Sequence, residues 1–347
     1  MQIRLYDRSM TPLVVLFAGD YNDLTYRDVL MDVGDASFTM RLDNSKTTMA
    51  NLNHYNVIEI CEDDGTPRWV GLIIKRSVTI STVSVSCYSL AHILSKRLTA
   101  AADARNAAAG IIVNSLLATT NATEDTNIIV GDINLSTNVQ ITFDRSSILD
   151  AINNVKDASS GQWKINPDRT LDFKSQVGQD LSASVLIQYQ LGLIASANIT
   201  TFSVDDDGTA IITKTYGKSD PLNSTQTDTA LHTEFGLLEA TKNFRELDNQ
   251  TSLDNVTANS NNGSAFSPAL DLLPSVPDNF EVGDLISVKL SNGMIDIDDV
   301  FQVTEKTVDV QNGTQKAINI KIISNVSDFF KQIRDMKKGL DLISRSV

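Results

Sequence analysis

The chain has 347 residues, 41% of them hydrophobic and 21% charged, and a formal net charge of −14. This is a globular composition rather than a disordered one, and the length suits roughly two to four domains. The carboxylate excess argues against a surface that grips phosphates, which needs clustered Lys and Arg, yet does not exclude contact with DNA that passes without sticking.

The N-terminal strand pattern covers residues 2–6. The apolar run Leu13 to Phe17 that follows is too short for a signal sequence or a membrane span. Sequons such as Asn121-Ala122-Thr123 then reflect an Asn/Thr-rich composition rather than glycosylation. Strand patterns recur at 36–42, 57–62, 68–76 and 79–89, with Phe38, Met40 and Leu42 expected on one face. Asp63-Asp64-Gly65-Thr66-Pro67 has the chemistry of a hairpin turn. Short strands at this spacing predict a small barrel, and Trp69 followed by Gly71 predicts a bend or bulge that lets it close. Cys61 and Cys87 sit in strand-like runs with no metal or redox spacing, and read as buried reduced thiols.

Residues 90–97 read as a helix with Leu90, Ile93, Leu94 and Leu98 at helical spacing and Lys96 and Arg97 near its C-terminal end. The Ala-rich run 101–118 reads as a second helix, weakened by Gly110. A third helix follows Ser146 or Ser147 as N-cap, with Ile148, Leu149, Ile152 and Val155 on its apolar face. It leads into the hairpin GQWKINPDRTLDF, which completes a small α+β unit.

After about residue 185 the strands return as NITTFSVDDDGTAIITKTYG, NFEVGDLISVKL, IDDVFQVTEKTVDV and QKAINIKII. Asp207-Gly208 and Asn312-Gly313 predict hairpin turns. Within the polar interval 219–279, HTEFGLLEATKNF is the one stretch apolar enough to pack.

The pattern ASFTMRLDNS, RWVGLI, YSLAHILSKRL, then GQWKINPDRTLDF, NITTFSVDDDGTAIITKTYG and FEVGDLISVKL resembles the phage tail hub proteins. That group includes contractile-baseplate hubs, tail-tip proteins of long flexible-tailed phages, and the N-terminal half of type VI secretion spikes. The similarity covers nearly the whole chain in element order.

The resemblance implies a mainly β, α+β chain with two tail-tube-like barrels. Residues 1–98 would form the first barrel with its helix and 99–184 an α+β domain. Residues 185–218 and 280–323 would form a discontinuous second barrel interrupted by 219–279, leaving 324–347 as a C-terminal helix. Three chains with two barrels each would match a three-fold hub to a six-fold tube. The partners implied are a tail-tube or distal tail ring, the tape measure protein, a tip fibre or spike, and passing DNA. Trp69 and Gly71 would shape a ring-forming barrel, and the hub would be assembled in the host cytoplasm as part of the virion.

No catalytic site is expected. His54, His92 and His232 form no HExxH or HxH pattern, and no nucleophile, acid pair or phosphate loop is present. Asp205, Asp206 and Asp207 lack the spacing of a calcium loop, which would need acids where Ser203 and Lys214 stand, so they read as channel-facing acids at a hairpin tip. Asp296, Asp298 and Asp299 read as solvated turn acids, and no cofactor or metal is implied. Val326, Phe329, Ile333, Met336, Leu340 and Ile343 repeat by three and four, the period of a heptad seam. That helix either meets two copies of itself on an axis or folds back on its own subunit. Ending at Val347, the chain is expected to be a hub without a lysin. The competing readings are a peptidoglycan-degrading tail enzyme and a receptor- or carbohydrate-binding module.

Overall fold

The computed structural model describes residues 1–190, 197–244, 247–261, 265–274, 276, 278–292, 296–311 and 315–324. The seam residues Val326, Phe329, Ile333, Met336, Leu340 and Ile343 lie outside the described residues.

The N-terminal region folds into β1 (Gln2–Tyr6), β2 (Pro12–Leu16), β3 (Asn22–Val29), β4 (Asp35–Arg41), β5 (Val57–Cys61), β6 (Pro67–Val78) and β7 (Thr82–Ser89). The short apolar run after residue 12 is thus an edge strand, and β3 fills a stretch without a clear alternating pattern. On β4 the period of two holds: Phe38 and Met40 are buried while Ser37 is exposed. Leu42 departs from the expected face; it follows the end of β4 and is 40% exposed. The turn at 63–66 forms as its sequence requires, with Gly65 at φ +91° and the Asp64 carboxylate accepting the Thr66 N–H.

Trp69 and Gly71 are two apart and share a face of β6. A Cβ on Gly71 would lie 2.3 Å from both Trp69 Cη2 and the Tyr88 carbonyl oxygen. The glycine therefore leaves room for the indole, whose Nε1 donates to the Arg27 carbonyl at 3.2 Å. β6 has two irregularities, one at Arg68 against β5 and one between Ile73 and Lys75 against β7, and neither is at Gly71.

The middle region comprises α1 (Ala91–Leu94), β8 (Asp103–Ala108), α2 (Ala109–Thr123), β9 (Ile129–Ile133), β10 (Asn138–Phe143), α3 (Ile148–Ser159), β11 (Gln162–Ile165) and β12 (Thr170–Lys174). The first helix is shorter than expected. A third of the Ala-rich run is strand: Asp103–Ala108 pairs antiparallel with Asn138–Phe143, so ladder pairing overrides alanine's helix propensity. Ser147 is the N-cap of α3, its hydroxyl accepting the Asp150 N–H at 3.0 Å. Ile148, Ile152 and Val155 of α3 join Leu116, Trp163 and Phe173 in one core, and the β11–β12 hairpin forms as expected.

The remaining elements are β13 (Leu186–Gln190), β14 (Ile199–Asp207), β15 (Lys214–Ser219), β16 (Leu222–Thr227), α4 (Thr229–Phe235), β17 (Glu239–Asn243), α5 (Gln250–Ala258), β18 (Ala265–Leu272), β19 (Leu285–Ser291), β20 (Asp296–Gln311) and β21 (Gln315–Ser324). The hairpin expected at Asp207-Gly208 does not form, because β14 pairs with β18 and β15 with β16. Asp205, Asp206 and Asp207 are therefore strand residues, in register with Ser267, Phe266 and Ala265. Within 219–279 the packed elements are α5, through Leu253 and Val256, and β18, through Leu270 and Leu272; of the stretch expected to pack, Phe244 lies against a core whereas Leu237 and Leu238 are exposed. The strand pair on either side of Asn312-Gly313 forms as predicted.

The chain is mainly β, and no barrel closes among the described residues. Both expected barrel regions instead enter one 13-stranded sheet along the path β14-β18-β21-β20-β3-β4-β7-β6-β5-β1-β2, with β13 and β19 joined beside β20. Two connections decide this. β20 pairs antiparallel with β3, and β18, from the interval expected to be inserted, pairs with β14 and β21. One core runs beneath both halves, from Ile3 and Phe38 to Val288 and Ile320.

Candidate functional site

The chemistry of this chain lies in an exposed sheet face and in the ionic cluster beneath it. Eight successive strands, β14-β18-β21-β20-β3-β4-β7-β6, form an unbroken antiparallel run. Alternation sends Val83, Val85 and Cys87 of β7 into the core and leaves Ser84 and Ser86 outside. The register then places Asp309, Thr25, Ser37, Ser86 and Lys75 side by side across β20, β3, β4, β7 and β6.

Arg27, Lys321 and Arg41 on this face are held by carboxylates, while Asp309 and Asp271 bond to uncharged partners. Arg27 reaches Asp35 at 2.5 Å and Glu305 at 3.5 Å, and Lys321 reaches Glu305 at 3.0 Å. These four residues link β4, β3, β20 and β21 across the junction of the two halves. Burial opposes the charge on Arg27, but its bond to Asp35 and the charges of Asp35 and Glu305 outweigh that and raise its pKa. Arg41 pairs with Asp43 at the end of β4. Asp271 accepts hydrogen bonds from Thr201 and Asn319 at 2.9 and 2.7 Å. Among the described residues, Lys75 has no ion-pair partner.

Below the face, a cluster of ionised groups joins the three regions of the chain. Lys306, 2% exposed, donates to the Phe280 carbonyl at 2.6 Å and lies 2.5 Å from Asp278 Oδ1 and 3.7 Å from Glu281. Asp278 Oδ1 has no well-directed hydrogen bond, so that contact is ionic; its other oxygen is 2.9 Å from Lys316 Nζ. Lys316 also reaches Glu62, to which Arg68 is bonded, and Arg68 continues to Glu281. From the α+β unit, Lys164 donates to the Val282 carbonyl at 2.9 Å and lies 3.7 Å from Asp28.

The two buried acids behave oppositely. Burial pushes the Asp28 carboxyl above its ordinary value, and the more distant lysines only partly oppose this. Burial works in the same direction on Asp278, but the Lys306 and Lys316 charges and the bond from Lys316 outweigh it and hold that carboxyl low. Burial also raises the Cys61 thiol to about 11 and Cys87 further still. Both cysteines are free, buried thiols of the core.

Among the described residues, no group of His, Cys, Asp and Glu could hold a metal ion. His54, His92 and His232 sit on different elements, and Asp298 pairs with Lys289 on the β19–β20 ladder rather than in a turn. Trp69 and Gly71 lie next to Arg27 in the first half of the sheet. The signal for the polar face was readable as the Ser/Thr alternation of β7. Nothing local in the sequence marked Arg27, Asp35, Glu305 and Lys321 as a group, since their elements lie far apart along the chain.

No protein-family model and no curated protein sequence matches the chain. Solved structures do match. A tail protein from Neisseria meningitidis superposes with a TM-score of 0.65 at 14% identity, covering 93% of this chain and 96% of that one. Prophage tail protein gp18 from Listeria monocytogenes gives 0.60 at 13% identity, covering 97% of this chain and 100% of that one. The chain has the fold of these phage tail proteins. The same fold extends to the E. coli c3393 protein, described as a type VI secretion component similar in structure to T4 bacteriophage tail proteins gp27 and gp5. There the TM-score is 0.54 at 8% identity, with 88% of this chain and 73% of that one covered. The tail-protein fold here contains no helix, among the described residues, long and apolar enough to cross a membrane.

Proposed function

We propose that this chain is a structural virion protein, a tail-tip or baseplate hub in which three copies surround a DNA channel. The observation that carries this reading is the eight-stranded run with one polar face and, among the described residues, an open strand at each end. β14 ends the sheet path, and beyond Ile73 β6 has β7 as its one strand partner. With an even number of antiparallel strands, the two open edges run in opposite directions. Rotation about an axis therefore brings β6 of one copy antiparallel to β14 of the next, a heterologous contact that closes into a ring.

Three copies would supply twenty-four strands. At about 4.8 Å per strand they span a ring of about 37 Å backbone diameter, which strand tilt widens, leaving room for duplex DNA. The edges also carry opposite charge, with Lys75 and Arg76 on β6 and Asp205, Asp206 and Asp207 on β14. In this reading those aspartates serve the subunit contact as well as the channel rim. The hub would join a tail-tube or distal tail ring, with the tape measure protein, to a tip fibre or spike. Assembly would take place in the host cytoplasm.

The test is cross-linking in tails carrying Ser77→Cys together with Ser203→Cys, since the native thiols are buried. A covalent trimer under oxidation supports the ring, whereas intact tails containing only uncross-linked chain would refute this edge pairing. A peptidoglycan zymogram addresses the enzyme alternative: clearing by the purified chain would overturn a purely structural role.

A further inference from the structure

We infer that the exposed face of the eight-stranded run is a charge-cancelled wall for passing duplex DNA, in which Asp35 and Glu305 keep Arg27 and Lys321 off the phosphates. This rests on the channel reading above and adds how such a wall avoids both adhesion and repulsion.

DNA adheres to protein when Lys and Arg replace condensed counterions at phosphates, and each such contact steepens the salt dependence of binding. A wall of bare acids fails in the opposite way, because repulsion at close range resists entry of the duplex. The face shows neither extreme. Asp35, Arg27, Glu305 and Lys321 alternate in sign across four adjacent strands, within 2.5–3.5 Å of one another. Glu305 is the anchor: its side chain is 15% exposed and binds both cations. The cations themselves are accessible, Arg27 at 39% and Lys321 at 48%, so the carboxylates rather than burial withhold them from solution anions. Around this quartet stand small hydroxylated residues, including Thr25, Ser37, Ser84 and Ser86, which offer no charge, and one acid, Asp309, whose carboxylate accepts the Thr25 hydroxyl at 3.3 Å. Lys75, the cation without a described partner, stands on the open β6 edge that a neighbouring β14 would cover.

The experiment measures binding of a fluorescent DNA duplex by the full-length purified protein at low salt. Wild type is expected to show none. Asp35→Asn combined with Glu305→Gln is expected to bind, and two freed cations predict about a tenfold loss of that affinity between about 50 and 200 mM salt. Adding Arg27→Gln and Lys321→Gln should abolish the gain. A control with the same charge change off the sheet, Asp144→Asn with Asp125→Asn, should not bind, and circular dichroism should confirm that all variants fold. In virions, the Asp35/Glu305 variant should release DNA more slowly than wild type. Equal binding by the control, no gain in the double variant, or unchanged release would each overturn the inference. Failure of the hub reading itself would show differently, as absence of the chain from purified tail tips.

Discussion

Lys306→Met removes the centre of the ionic cluster while keeping most of the side chain's apolar length. In the wild type its ammonium satisfies the Phe280 carbonyl at 2.6 Å and neutralises Asp278 at 2.5 Å, with both side chains at most 14% exposed. Removing one partner of a buried ion pair costs about 3–5 kcal/mol. Lys316, 2.9 Å from the second Asp278 oxygen, retains part of the compensation. The expected cost is therefore at the lower end, about 3 kcal/mol. Because the chain has two cores, global melting is a poor reporter; native-state hydrogen exchange across β20 and residues 278–284 reads the local loss. Lys306→Met with Asp278→Leu should recover part of the loss, since an apolar pair leaves no buried charge unmatched. Protection of β20 within about 0.5 kcal/mol of wild type in the single variant, the range of an ordinary surface change, would refute the assignment of Lys306 as the electrostatic centre.

The acid response follows from the same cluster. Asp278 is held below its ordinary value of 3.8, so its stabilisation is complete above that pH and fades as pH falls through the depressed folded value. Exchange protection of β20 should fall in that window, and by less in Lys306→Met. Asp28 has a raised folded value, so its charge opposes folding near neutrality; Asp28→Asn should leave stability unchanged or higher at pH 7 in a denaturant titration. Gly71→Ala forces a Cβ to within 2.3 Å of Trp69 and the Tyr88 backbone, and overpacking of this kind costs about 1–3 kcal/mol. Loss of Trp69 fluorescence burial would report it, and an unchanged emission and melting midpoint would argue against the indole-clearance role. Ser147→Ala should cost about 1 kcal/mol at the start of α3, measurable as faster exchange in its first turn.

Local rules determined much of this protein without any tertiary information. Alternation along ASFTMRL and TVSVSCYS fixes which side of β4 and β7 is buried, because successive strand residues face opposite ways. Turn chemistry at Asp64-Gly65 and capping by Ser147 likewise depend on neighbours in the chain. What the tertiary structure alone decided was partnership. Asp103–Ala108 became a strand because β10 offered a ladder, and the Asp207-Gly208 hairpin failed because β14 found β18 instead of the next strand. The two expected barrels became one sheet because β20 lies against β3. The ion chain of Asp35, Arg27, Glu305 and Lys321 exists for the same reason: residues distant in sequence meet only once long-range strand pairing sets the register, which no local pattern encodes.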